Sequence, residues 1–191
     1  MNKTLLVCAG GDESFENALG VGVGLINASI NLSAYLARLQ SYVMPSKIVF
    51  IGTCGLYDTK SELLGIIKSQ NALNIEISAL LDMSYSPLFS LHNLLQNSCS
   101  LPRDSINSSN YITKDENIAL RFAKLGLVAE NMEFYAVCQV ARAYNLSCQG
   151  VLCATNYCDK NAHESFAKNH KKAKDILKNY IKQADEMFIR L

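Results

Sequence analysis

Apolar positions along the chain follow two alternating rhythms. Residues 4–9 (TLLVCA) and 47–51 (KIVFI) are short, nearly continuous apolar runs, the pattern of buried strands. Between them Leu25, Ile26, Ser29, Leu32, Leu36 and Leu39 recur at helical spacing. Further strands are predicted at residues 63–68, 73–79 (LNIEISA, by its alternation), 126–129 and 150–154 (GVLCA). A helix is predicted over roughly residues 131–144, with Phe134, Val137, Cys138 and Ala141 on one face. The clearest periodicity runs over about residues 162–188, where Phe166, Ala173, Leu177, Tyr180, Ala184 and Met187 form one stripe. Lys168, Lys171, Lys172, Lys174 and Lys178 lie mostly off that stripe. Asp175, Asp185 and Glu186 interleave with them, so the run reads as a solvated helix face rather than a basic binding patch. Strands alternating with helices predict an α/β fold: a single domain over residues 1–191, with a mixed central β-sheet flanked by helices.

Composition narrows the functional classes. Of the 191 residues, 49% are apolar and 18% charged, enough apolar content for a sizeable core. The net charge of +1 argues against a partner held through phosphate attraction, such as a nucleic acid. No apolar run is long enough to span a membrane, and the N-terminal run is too short for a signal peptide. Seven cysteines, an odd number in mostly apolar surroundings, predict free thiols and a cytoplasmic location. Cys148, Cys153 and Cys158 recur every five residues, which is not a zinc-site spacing. No metal or organic cofactor is expected.

Four segments carry candidate chemistry. Gly20, Gly22 and Gly24 precede the first predicted helix, where glycines bring N–H groups close to a ligand. Their spacing does not fit G-x-G-x-x-G, and a tight strand-to-helix turn explains them equally. Ile51-Gly52-Thr53-Cys54-Gly55 closes a predicted strand, where ligands gather in open α/β sheets. Glu130-Asn131-Met132-Glu133 ends another strand and opens a helix. Asn131 suits an N-cap, and Glu133 is either a helix-start acid or a carboxylate that grips paired sugar hydroxyls. Thr155-Asn156-Tyr157 follows the strand at 150–154, as turn chemistry or as part of a site. The segment 82–89 is apolar and aromatic without a clear period, and reads as an interface, a pocket lip or a packed loop.

In this order the segments resemble the nucleoside phosphorylase superfamily, which includes purine nucleoside phosphorylases and the methylthioadenosine/adenosylhomocysteine nucleosidases. The resemblance runs from about Gly20 to the C-terminus. It rests on Gly52-Thr53-Cys54-Gly55, on Asn131-Met132-Glu133-Phe134-Tyr135-Ala136 and on Ala154-Thr155-Asn156 with the following Asp159 and residues 162–166 (AHESF). It implies cleavage of the N-glycosidic bond of purine nucleosides, by phosphorolysis to base and ribose 1-phosphate. The alternatives are phosphate-independent hydrolysis, or a nucleoside- or base-binding protein with weakened catalysis. Inorganic phosphate is the one possible co-substrate it implies.

By the same resemblance Met132 and Glu133 hold the ribose, Thr53 faces the nucleophile or the sugar, and Tyr111 packs on the base. Gly20, Gly22, Cys54, Gly55 and Thr155 line the pocket. Glu133, Thr53 and Asn156 are the implied catalytic set. A homo-oligomer, a dimer or a multiple of dimers, is also implied. Two departures stand out. Asn156 occupies a place where many members carry an aspartic acid that protonates the base, and an amide cannot deliver that proton. Phe50 stands near where a phosphate-binding arginine precedes the Gly-Thr motif, and Arg38, Arg103, Arg121, Arg142 and Arg190 match no motif. Arg103 or a partner subunit would have to supply that charge. Glu13 matches the carboxylate that activates water in the nucleosidases, and a phosphate near Asp12 and Glu13 would be repelled.

Overall fold

The computed structural model describes residues 3–88, 101, 102 and 104–188. Phe89, His92, Cys99 and Arg103 lie outside the described residues. Eight strands form one mixed sheet: β1 (Thr4–Cys8), β2 (Leu19–Gly20), β3 (Lys47–Leu56), β4 (Ile66–Ser69), β5 (Ala72–Leu73), β6 (Ser105–Ser108), β7 (Leu127–Asn131) and β8 (Ser147–Tyr157). The helices are α1 (Leu25–Ala37), α2 (Ile77–Leu80), α3 (Glu116–Lys124), α4 (Phe134–Ala143) and α5 (Ala162–Phe188).

The strand β3 organises the sheet. Its first half pairs with β1 in parallel, through Lys47–Phe50. Its last two residues pair antiparallel with β7, through Gly55 and Leu56. Along its whole length it runs parallel to β8, with a register shift between Cys54 and Gly55. One strand thus changes neighbours halfway along, which curls the sheet and opens a space where β3, β7 and β8 end.

Both faces of β3 and β8 are covered, so alternate side chains enter different cores. Ile48, Phe50, Cys54, Leu56, Leu152 and Ala154 pack with α1 and α4. Val49, Ile51, Val151 and Cys153 face Ala173 and Leu177 of α5. On the first face Phe134 stacks on Phe50 with ring centroids 6.1 Å apart. A third cluster joins Tyr57, Ile75, Phe122 and Leu127.

Several boundaries differ from the sequence reading. The predicted strand at 63–68 begins only at Ile66, because Leu64 adopts a φ of 65°. The predicted strand at 73–79 is not one. It takes in the second residue of the two-residue β5 and the first three of the four-residue α2. At Ile75 the Asn107 side chain replaces the ladder: the Ile75 N–H donates to Asn107 Oδ1 (2.8 Å) and Asn107 Nδ2 donates to the Ile75 carbonyl (3.0 Å). The strands near 51 and 150 run on through the motifs they were expected to precede, to Leu56 and Tyr157.

Candidate active site

The carboxyl ends of β1, β3, β7 and β8 surround a cavity of about 550 Å³. Thr53, Cys54, Gly55, Tyr111, Met132, Glu133, Thr155, Asn156 and Gly22 all line it. Gly20 does not. It lies in β2, paired with Cys8, one strand removed from the opening.

The helix start at α4 fixes Glu133. Asn131 Oδ1 accepts the N–H groups of Glu133 (2.9 Å) and Phe134 (2.7 Å), two donors that the first turn leaves free. The cap position itself is Glu133, not Asn131 as the sequence predicts; Asn131 stands two residues ahead of the helix and braces its start through these two bonds, and Glu133 is therefore outside the first turn. Asn131 Nδ2 donates to Glu133 Oε2 (2.8 Å). The Gly24 N–H donates to Glu133 Oε1 (2.9 Å) across 109 residues of sequence. Gly24 has φ 86°, a left-handed conformation, and a Cβ there would stand 2.9 Å from Asn110 Oδ1. The glycine turn thus aims a backbone donor at a carboxylate rather than at a phosphate. Glu133 is only 4% exposed. Burial, partly offset by the Gly24 N–H, raises its pKa to about 7. Each carboxylate oxygen retains acceptor capacity for a ligand hydroxyl.

Opposite lies a second carboxylate. Glu13, after β1, accepts the Thr53 hydroxyl on Oε1 and the Thr53 N–H on Oε2 (3.2 Å). His170 of α5 places Nε2 3.8 Å from Glu13 Oε1. Glu130, beside Gly55 in the β3–β7 register, accepts the Thr113 N–H (2.7 Å) and hydroxyl (2.6 Å). Burial raises its pKa also. Asn156 is held on both sides: its Oδ1 accepts the Thr155 hydroxyl (2.9 Å) and its Nδ2 donates to the Tyr157 carbonyl (3.1 Å). The amide lies across Gly55, where a Cβ would come within 2.8 Å of Asn156 Nδ2.

Asp12, Glu13, Glu130 and Glu133 all line the cavity, and no lysine or arginine does among the described residues. Apolar surface comes from Val23, Ile112, Met132, Ala162 and Phe166. Tyr111 is not a core strand aromatic. It stands on a loop, 73% exposed, and lines the cavity.

Glu130, Phe166 and His170 were not singled out by sequence as site residues. Glu130 was hidden beside the more telling Glu133. Phe166 was read as part of a core stripe. The available signal for His170 was its place four residues beyond Phe166, a polar residue beside an apolar one on the same helix face.

Residues 103–184 match the family model described as Phosphorylase superfamily. That segment shares the family's sequence pattern. Similar solved structures include a mutant of Helicobacter pylori methylthioadenosine nucleosidase with 5'-methylthioadenosine in the active site. It has a TM-score of 0.74 and 14% identity, covering 97% of this chain and 99% of that one. A futalosine hydrolase mutant from H. pylori strain 26695 matches with a TM-score of 0.74 and 14% identity, over 97% and 100% of the two chains. A 5'-methylthioadenosine/S-adenosylhomocysteine nucleosidase from Colwellia psychrerythraea 34H, in complex with adenine, matches with a TM-score of 0.68 and 12% identity, over 92% and 90%. At these identities the likeness is one of fold. No curated protein matches the chain.

Proposed function

We propose that the protein hydrolyses the N-glycosidic bond of a purine nucleoside. The observation that carries this reading is the cavity's charge: two facing carboxylates, Glu13 and Glu133, with no lysine or arginine among the described residues that line it. A phosphate ion would enter against four acidic side chains, whereas water needs a base and finds one in Glu13. Phosphorolysis, the first expectation from sequence, finds no cation for its phosphate among the described residues that line the cavity.

The geometry supports the following division of labour. Glu133 accepts hydrogen bonds from the ribose hydroxyls and, once ionised, stabilises positive charge as C1′ loses its bond to nitrogen. Thr53 fixes Glu13 through its N–H and hydroxyl. Glu13 takes a proton from water as the water oxygen bonds to C1′. Tyr111, Ile112 and Phe166 offer apolar plates to a flat base. The departing base leaves with the bonding electron pair and acquires a proton from solvent, since the Asn156 amide donates hydrogen bonds but not protons. Adenine and methylthioadenosine in the similar structures support a purine.

The test is the sugar product. Purified protein is incubated with inosine, guanosine, adenosine or methylthioadenosine in phosphate buffer. The expected product is a reducing sugar. Ribose 1-phosphate as the sole product would return the assignment to phosphorolysis, and a bound but uncleaved nucleoside would assign a binding protein.

A further inference from the structure

One buried group at the site has no role in the scheme above. His170 Nε2 is shielded from solvent and has no hydrogen-bond partner in the protein. An unpaired polar atom in such a place is costly unless function uses it. The ring leans on Phe166, centroids 4.8 Å apart, and this contact directs Nε2 toward Glu13 Oε1 at 3.8 Å. The same side chain borders two spaces. One is the 550 Å³ cavity. The other is a more open groove lined by Asp12, Lys171, Lys174, Asp175 and Lys178. His170 and Asp12 are common to both.

We infer that His170 is a proton relay acting through Glu13, returning it to the carboxylate after each turnover by passing its proton to the outer groove. This rests on the hydrolytic reading. In that reaction the water oxygen bonds to C1′, one water proton goes to Glu13, the C1′–N bond breaks, and the base carries off its electron pair. Glu13 must then lose its proton before the next water can be activated. Nε2 takes that proton as a lone-pair acceptor, and the imidazolium releases one proton to water in the groove. The departing base takes up a proton from solvent, so the sum is nucleoside plus water giving sugar plus protonated base. Histidine suits this step because its neutral ring accepts at one nitrogen while donating at the other. The charged groups facing the ring are Glu13 and Asp12 on the strand side, with Lys171, Lys174, Asp175 and Lys178 on its own helix. Lys174 is tied to the Asp12 carbonyl, which holds the wall of the groove in place.

The experiment compares single-turnover and steady-state base release in wild type, His170→Ala and His170→Gln. Gln keeps a polar side chain of similar reach and guards against a folding failure of the alanine variant. The expected result is a first turnover near the wild-type rate in both variants. Steady-state kcat should fall by about 10²-fold with KM little changed, and added imidazole should restore kcat in His170→Ala. Unchanged steady-state kcat in His170→Gln would overturn the relay. So would equal slowing of the first turnover, or the absence of imidazole rescue, because a packing role predicts those. Wild-type protein that releases no base from any nucleoside would overturn the hydrolytic reading and the relay with it. Wild-type turnover with an unaffected His170→Gln overturns the relay alone.

Discussion

Glu133 is the residue on which the chemistry converges, and its burial makes a prediction about pH. Its pKa is raised to about 7 in the fold, above the ordinary glutamate value. The folded state therefore binds more protons than the unfolded state between about pH 4.5 and 7. Stability falls as pH rises through that window and levels off above it, by a total on the order of 3 kcal/mol. In Glu133→Gln that slope flattens, as chemical denaturation at several pH values will show. For the wild type, kcat/KM climbs through about pH 7 as the carboxylate forms. Truncation of Glu133 to alanine strands the Gly24 N–H and the Asn131 amide, so Gln is the cleaner substitution. Across the cavity, Thr53→Ala removes the hydroxyl donated to Glu13 and lowers kcat about tenfold, while Thr53→Ser retains it. Glu133 could be read from the chain because its partner Asn131 lies two residues away. The Glu13–Thr53 pairing could not, because it spans 40 residues and depends on how β1 meets β3.

Among the elements, α4 and the glycine turn before α1 matter most for holding the site. Phe134 opens α4 directly after Glu133, fully buried on Phe50 and closely approached by Gly150. Phe134→Ala leaves a cavity and costs about 3–5 kcal/mol, measurable by urea unfolding. It also loosens Glu133, so kcat falls more than KM rises. Gly24→Ala forces a side chain into a left-handed conformation and against Asn110, costing about 1–3 kcal/mol. Its functional signature is weaker nucleoside binding, because the backbone donor to Glu133 moves. The helices α1, α4 and α5 were legible because their apolar periods are long. The segment around Ile75 was misread because alternation in the sequence records burial, not pairing. There a side-chain amide from β6 supplies the hydrogen bonds that a neighbouring strand would have made.

At the scale of the whole molecule, the fold works by gathering strand ends. The polar motifs after residues 50, 130 and 154 lie far apart in sequence, and β3 brings them together by pairing with β7 and β8 at its end. Their order along the chain was readable, and so was the α/β class. The curl of the sheet was not, because a strand's change of partner leaves no local mark. No helix among the described residues is long and apolar enough to cross a membrane. The central claim is that this gathered cavity transfers a nucleoside's sugar to water, with Glu133 beneath the sugar. The most direct measurement is base release from purine nucleosides in phosphate-free buffer, for wild type and Glu133→Gln side by side. Steady release by the wild type, unaltered by added phosphate and reduced about 10²-fold or more in the variant, is the predicted result. Release that requires phosphate, or that persists undiminished in Glu133→Gln, would contradict it.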